Sequence, residues 1–483
     1  MINRNIETLD LSGNSHSRKH PYRNIEEIRR LSQEDAFYKG IDGDGIPMNR
    51  HLNVLIPTTG DKSPGVVWDT VRAASTANEY AKRHGIEFCI SSVMLCDQSP
   101  DNVASRNVAN MQTMKDVLQR QKTRGVEVPG IFHLRIGEET DKVLMQYASK
   151  HYGKIIERGE GGKGYNLLTS VLATGGNNPD DEIGLIFIDS DNMKVGDGQI
   201  FSLGAPIFHM TTENPGYRCV ISDNDRFHMQ IDEETGANKK MLGSRVDNSA
   251  IIPLNNTLFD GGLLKDKLNK YCTGERAMTR DLFFSFETAQ KYGFEQVHNL
   301  QLLSEGSDFN TETGLYEVFV GQNQDDAIGA GMKPKDILYG IAKMTNQILG
   351  VTKGMIDKDK FFERWETPEE FMQDFKENQD YNAEGWALSL GKGMDDYVTG
   401  GVKIEELLDF SRLLVEANIR ELYEEGSRKS VLEKIKKKYV DVSDTFDFSD
   451  EILVPLDEVR KYDEGNFRKL IRVMTSRRYT IHD

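Results

Sequence analysis

The chain has 483 residues, a length for two or three domains or for one enzyme domain with additions, and its 38% hydrophobic content supplies a sizeable core. A formal net charge of -17 disfavours broad electrostatic binding to nucleic acid or to anionic lipid. The four cysteines, Cys89, Cys96, Cys219 and Cys272, form no C-x-x-C pair, which argues against a zinc ribbon or redox dithiol and for a reduced, cytosolic protein.

The N-terminal stretch MINRNIETLDLSGNSHSRKH has no apolar core of a signal peptide, and no apolar run approaches the roughly 20 residues of a membrane helix. Ile25, Ile28 and Leu31 then follow helical spacing, with Gly40 as a stop. The first strand is expected at His51–Asp61 (HLNVLIPTTGD), broken by Pro57, and a helix at Val66–His84. Trp68 reads as core packing of that helix. A second strand is expected at Ile86–Ser99, a helix at Asn107–Gly125, a third strand within VEVPGIFHLRI and a helix at Thr140–Gly153. Arg158–Gly176 (RGEGGKGYNLLTSVLATGG) is a glycine-rich loop feeding a helix, and EIGLIFIDSDNM, Glu182–Met193, is an apolar strand ending in carboxylates.

Strand and helix alternate to residue 192, the pattern of a parallel α/β sheet, in which ligands bind beyond the carboxyl ends of the strands. Beyond Asn192 the alternation fades into shorter strands, YRCVISD, HMQID and GLYEVFVGQ. From Lys333 the chain reads as mostly helical, through KDILYGIAKMTNQILG, TPEEFMQDFKEN, VKIEELLDFSRLLVEANIRELYEEG and SVLEKIKKKY. The basic residues Arg468, Lys469, Arg472, Arg477 and Arg478 read as the solvated face of a terminal helix.

Asp189 and Asp191 stand at a strand end, where two carboxylates can turn toward one cation. Hard oxygen ligands suit Mg²⁺ or Mn²⁺, which would neutralise a diphosphate leaving group. The plainer alternative is a polar cap on a buried strand. Gly161-Gly162-Lys163-Gly164 offers backbone N–H groups and a full positive charge to an anion, although it fits neither a P-loop nor G-x-G-x-x-G. IPTTGD places a proline and small hydroxyl residues after the first strand, suited to contact with a nucleoside. Asp97, at the end of the second strand, is either a base contact or a loop cap.

These features together resemble a GT-A glycosyltransferase, and the closer resemblance is to the mannosyl-3-phosphoglycerate and glucosyl-3-phosphoglycerate synthases. GGKGYNLLTSVLA…IGLIFIDSDN is similar to their G-K-G-E…G-F-I-D-A-D-N pattern. TGERAM (Thr273–Met278) is similar to the G-E-H-A loop, YGFEQVHNLQLLSE to the A-V-E-P-x-E-L helix start at Glu295, and YEVFVGQNQ to the E-V-F-Q strand. The likeness runs over roughly His51–Asp326.

The resemblance implies an α/β GT-A fold, Rossmann-like with a mainly parallel sheet, and a helical C-terminal region. The implied divisions are an N-terminal extension (1–50), a nucleotide-sugar-binding half (51–200), an acceptor-binding half (201–332) and the helical region (333–483). The implied activity is metal-dependent, retaining transfer of a hexose from a GDP- or UDP-linked sugar to a small anionic acceptor. Pro57, Thr58 and Thr59 would lie near the donor base, and Gly162, Lys163, Gly164 and Asp189 would hold the donor. Lys163, Asp191 and Glu295 would act at the transferred sugar and diphosphate. Thr273, Gly274, Glu275 and Arg276 would face the acceptor, with Arg276 the candidate for its anionic group.

The metal, Mg²⁺ or Mn²⁺, would take Asp189, Asp191 and Gln322. In the family a histidine after the E-V-F strand completes that set. Here the stretch is GQNQDDAIG, which leaves Gln322, Asp325 and Asp326 as substitutes. His298, three residues after Glu295, is either that missing ligand or a structural histidine. The family also implies a homodimer, and the cysteine content a cytoplasmic enzyme. The alternatives are a polymer acceptor, modified DNA or protein, docked on the helical region, and a non-catalytic sugar-nucleotide-binding protein.

Overall fold

A run of apolar residues, Val54-Leu55-Ile56, is fully buried at the centre of the first strand, β1 (Arg50–Thr58), as expected of a parallel strand covered on both faces. The computed structural model describes residues 50–58, 64–83, 89–99, 129–135, 163–172, 182–190, 218–231, 238–289, 291–324, 334–389, 397–398, 402–439, 453–455 and 479–480, with a few single positions between. The N-terminal extension before residue 50, the helices expected at 107–125 and 140–153, Thr59, Gly162, Asp191, Asp325 and Asp326 lie outside the described residues.

Helix α1 (Pro64–Arg83) follows β1, then β2 (Ile90–Asp97), β3 (Gly130–Arg135), α2 (Lys163–Leu172) and β4 (Glu182–Phe187). β1 pairs in parallel with both β2 and β4, and β2 with β3, so their carboxyl ends share one edge. The strand break expected at Pro57 does not occur, since Pro57 lies opposite Cys96 of β2 within the ladder. Its pairing with β4 has already ended at Leu55, whose carbonyl accepts from the Ile188 N–H. Pro57 faces the same side as Leu55, two residues on, where no ladder bond is required of its missing N–H.

The second half begins with β5 (Cys219–Ile231), a single strand of 13 residues where two short ones were expected. β6 (Asn238–Leu242), a π-helical turn (Asp247–Ile251), α3 (Ile252–Asp260), β7 (Arg276–Thr279), α4 (Arg280–Phe284), β8 (Glu287–Ala289), α5 (Phe294–Leu303), α6 (Thr311–Gly314) and β9 (Leu315–Gln324) follow. β7 pairs antiparallel with β4 and with β5, so the sheet is parallel on the β1 side and mixed beyond β4. β5 also pairs with β6 and, in parallel, with β9. The expected α/β class is present.

The expected C-terminal helices are α7 (Pro334–Met355), α8 (Lys358–Arg364), α9 (Pro368–Ser389), α10 (Ile404–Tyr423) and α11 (Arg428–Lys438). Short strands β10 (Tyr397–Val398), β11 (Val402–Lys403) and β13 (Tyr479–Thr480) extend the eleven-stranded sheet, and β12 (Leu453–Pro455) pairs with β8. Asp357 caps α8 by accepting from the Asp359 and Lys360 N–H groups. The helices share one hydrophobic core with the second half: Leu254, Leu258, Phe294, Trp365, Phe371 and Leu414 belong to the same cluster. Polar ties cross that seam, with Gln379 Nε2 donating to the Ser249 carbonyl at 2.7 Å. No described helix is long and apolar enough to cross a membrane.

Candidate active site at the carboxyl ends of the parallel strands

Lys163 opens α2, and Asn166 on the next turn fixes where it points. The Asn166 amide donates to the carbonyls of Thr58 (3.3 Å) and Cys96 (2.8 Å), the carboxyl ends of β1 and β2. These buried hydrogen bonds seat the helix start on the strand ends. Gly164 N–H donates to the Lys291 carbonyl at 3.3 Å, which draws in the segment leading to α5. Glu295 in the first turn of α5 then reaches Lys163 Nζ at 2.5 Å.

Asp189 follows β4 directly. Its Oδ1 lies 2.6 Å from Lys163 Nζ and its Oδ2 3.0 Å from Arg226 Nη2. Gly274 closes a third side, because a Cβ there would stand 1.9–2.1 Å from the carboxylate atoms. Only glycine permits that approach.

Arg226 comes from β5, where Ser222, Asn224 and Arg226 alternate along one face. All three serve Glu275, which is fully buried. Ser222 N–H donates to the Glu275 carbonyl, while Asn224 Nδ2 (3.0 Å), Arg226 Nη2 (2.6 Å) and Thr273 Oγ1 (3.2 Å) converge on Glu275 Oε2. Gly243, at the exit of β6, donates its N–H to the Arg226 carbonyl, and a Cβ there would meet that carbonyl at 2.5 Å. The result is a chain of alternating charge, Glu295–Lys163–Asp189–Arg226–Glu275.

Burial alone would lower the Lys163 ammonium, but Asp189 and Glu295 outweigh it and raise its pKa well above the ordinary lysine value. Burial likewise opposes the Asp189 carboxylate, and Lys163 and Arg226 hold it below the usual carboxylate range. Both groups are therefore charged at neutral pH. Lys163 and Arg226 keep 19% and 12% of their side-chain surface exposed. The arrangement suits electrostatic stabilisation of a phosphoryl or carboxylate group.

Arg276 requires a correction. It was expected to face the acceptor, yet it is fully buried and its guanidinium is spent on the chain itself. It donates to the carbonyls of Thr273, Tyr271 and Glu295 and to Asn299 Oδ1, at 3.1–3.5 Å. Arg276 braces the Thr273–Glu275 loop from behind. Thr273 and Glu275 are buried within the network described above.

Asp247 is a further buried carboxylate that sequence reasoning missed. Burial pushes its pKa up to about 6, against Lys270 and the N–H groups of Cys272 and Tyr271. Burial, with Asp247 and Glu295, pushes the Cys272 thiol well above its ordinary value, so it carries no thiolate at neutral pH.

His298 is fully buried among Phe283, Phe286 and Phe294, with ring centroids at 5.4, 5.3 and 4.3 Å. Neither ring nitrogen has a hydrogen-bond partner among the described residues, and burial together with Arg276 pulls its pKa well down. It is a structural, neutral histidine. Asp97 is buried and accepts from the Ser99 N–H at 2.8 Å, so it caps the turn after β2. Pro57 and Thr58 sit at the β1 end, opposite Cys96 and Asp97 of β2. Gln322 lies in β9 opposite Asp225, and its side chain is outside the description, as is that of Trp68.

Asp189 is the one member of the expected metal set whose side chain is described, and both its oxygens are taken by cations. A metal ion there would have to displace Lys163 or Arg226. Among the described residues no group of three His, Cys, Asp or Glu side chains could hold a metal ion. The described residues do not by themselves make a metal cage.

No family model matches the chain. No curated protein matches it either. Solved structures with similarity include glucosyl-3-phosphoglycerate synthase from Mycobacterium tuberculosis, in complex with Mn²⁺, UDP and phosphoglyceric acid. It is 17% identical, with 70% of this chain and 84% of that one covered, at a TM-score of 0.40. The same synthase with Mn²⁺, UDP-glucose and phosphoglyceric acid is 18% identical, covering 70% and 86%, at a TM-score of 0.41. Its complex with Mn²⁺, UDP-glucose and glycerol 3-phosphate is 18% identical, covering 70% and 87%, at 0.39.

Proposed function

We propose that this chain is a glycosyltransferase that moves a hexose from a GDP- or UDP-linked sugar to a small anionic acceptor of the phosphoglycerate type. The observation that carries the reading is the Lys163–Asp189–Arg226 cluster at the carboxyl ends of the parallel strands, bordered by Glu295 and the Thr273–Glu275 loop. In this reading Pro57, Thr58 and Thr59 border the nucleoside, and Gly162, Lys163 and Gly164 hold the diphosphate. Lys163 stabilises the charge that grows on the departing diphosphate. Glu295 positions Lys163 and borders the transferred sugar. Catalysis is then mainly positioning and electrostatics, with no general base assigned.

The test is donor binding and slow donor hydrolysis by the purified protein across a panel of GDP- and UDP-sugars, in Mg²⁺, Mn²⁺ and EDTA. The EDTA arm examines the metal set read from the sequence, Asp189, Asp191 and Gln322. Binding of one donor, weakened at least tenfold in Lys163→Ala, is the expected result. Binding of no donor, with the variant indistinguishable from the wild type, would overturn the reading.

A further inference from the structure

We propose that Arg226 is a positioning residue: it clamps the Asp189 carboxylate against Glu275 and, through Asp189, sets where the Lys163 ammonium stands. This rests on the glycosyltransferase reading above and adds to it the part of the chain that aims Lys163 at the donor's diphosphate. Arg226 Nη2 donates to Asp189 Oδ2 at 3.0 Å and to Glu275 Oε2 at 2.6 Å, so one nitrogen bridges two carboxylates. Nη2 is committed to the chain in this way, and Nε is buried. The bridge crosses three neighbouring strands of the sheet: Arg226 lies on β5, Glu275 leads into β7 and Asp189 follows β4. The β5–β7 ladder ends at Ile221 opposite Arg276, and β5 runs on to Ile231. Arg226 stands on that overhang, from which it reaches across β7 to the carboxylate after β4.

Each anchor of the clamp is itself fixed. Glu275 is fully buried, and its Oε2 also accepts from Asn224 Nδ2 at 3.0 Å and Thr273 Oγ1 at 3.2 Å. The backbone of Arg226 is held by its register with Asn323 of β9 and by the Gly243 N–H on its carbonyl. Asp189 is then confined by Arg226 on Oδ2, Lys163 on Oδ1 and the close approach of Gly274. Lys163 Nζ lies between Asp189 at 2.6 Å and Glu295 at 2.5 Å, so those two carboxylates set the place of its charge. Glu295 is carried by a helix, whereas Asp189 lies just beyond a strand end and takes its orientation from Arg226. Stabilising a developing charge depends on such preorganisation, and a misplacement of about 1 Å can cost about a hundredfold in rate.

The experiment combines crystal structures of the full chain with donor hydrolysis, using UDP-glucose and GDP-mannose in Mn²⁺ as probes. Because removing Arg226 strands the buried Glu275, Arg226→Gln/Glu275→Gln is compared with Glu275→Gln alone. Losing Arg226 should turn the Asp189 carboxylate and move Lys163 Nζ by about 1 Å or more. It should also lower kcat by about tenfold or more, with KM changed less than about threefold. In a Lys163→Ala background the same two variants should differ by less than about threefold in kcat, since an effect carried through Lys163 has nothing left to act on. A purely structural role would persist there. An Asp189 carboxylate and Lys163 ammonium that stay in place without Arg226 would overturn the assignment, as would an undiminished kcat effect in the Lys163→Ala background. Wild type that turns over neither probe removes the donor reading and, with it, the diphosphate from the assignment; the position of Lys163 in the crystal structures then decides the clamp.

Discussion

Helix α5 borders two regions that handle buried ionisable groups in opposite ways. On one side Glu295 joins the strand-end network, where each buried carboxylate has a cation and each cation a carboxylate. Three residues on, His298 enters a pocket of phenylalanine rings with no partner for either nitrogen among the described residues. The first region holds its groups charged through pairing; the second holds its group neutral through desolvation. Glu295 and His298 thus stand one helical turn apart on α5, one paired with a cation and the other desolvated among rings.

The sharpest way to break the first region is Gly274→Ala. The new methyl would overlap the Asp189 carboxylate, and a loss of about 3 kcal/mol or more is expected in chemical denaturation, with donor binding abolished. Lys163→Met leaves Asp189 and Glu295 without their shared cation and should cost about 3 kcal/mol. Adding Glu295→Gln should restore part of that loss, and additive effects in the double-mutant cycle would deny the coupling.

The second region should respond with the opposite sign. His298→Leu removes two unpartnered buried nitrogens and should stabilise the fold by about 1 kcal/mol at pH 7.5. The pH dependence follows from the depressed His298 pKa. Its stability contribution is present above the unfolded value of about 6.5 and is lost as pH falls toward the folded value, because the unfolded chain takes up the proton first. Melting curves from pH 7.5 to 5 should therefore be flatter in His298→Leu than in the wild type.

The smallest effect is expected at Asp247, which lies between these extremes. Its pKa is raised to about 6, so the folded state binds the proton more tightly, and stability falls as pH rises from about 4 to 6. Asp247→Asn should remove that slope and gain about 0.5 kcal/mol above pH 6, after the loss of hydrogen-bond strength to the Tyr271 N–H. An unchanged slope would place the titration elsewhere.

Much of this was legible in the sequence where local pattern and final environment agree. The apolar runs of β1, β2 and β4 and the helical spacing beyond Lys333 gave their elements, and G-K-G and D-S-D pointed to Lys163 and Asp189. Arg226 was hidden because reading YRCVISD and HMQID as separate strands put it in the gap between them. The signal was the alternation Ser222, Asn224, Arg226, visible only once the whole stretch is taken as one strand. Arg276 misled for the complementary reason. An arginine in a polar loop reads as a ligand contact, and only the tertiary fold shows Tyr271, Thr273, Glu295 and Asn299 closing over its guanidinium. Pro57 was read as a break because proline cannot donate to a ladder; it is tolerated because the neighbouring β4 stops two residues earlier, a fact about register that lies in no local stretch.

The core shared between the second half and the C-terminal helices has a consequence for synthesis. Ser249 waits for Gln379, 130 residues later in the chain, before its carbonyl and the apolar face around it are covered. At about 5–20 residues per second, the nascent chain leaves that face open for roughly 6 to 26 s. During that interval Leu254 and Leu258 lack the α9 side chains Phe371 and Phe375 that complete their cluster, so chaperone demand should be concentrated there rather than on the earlier parallel strands.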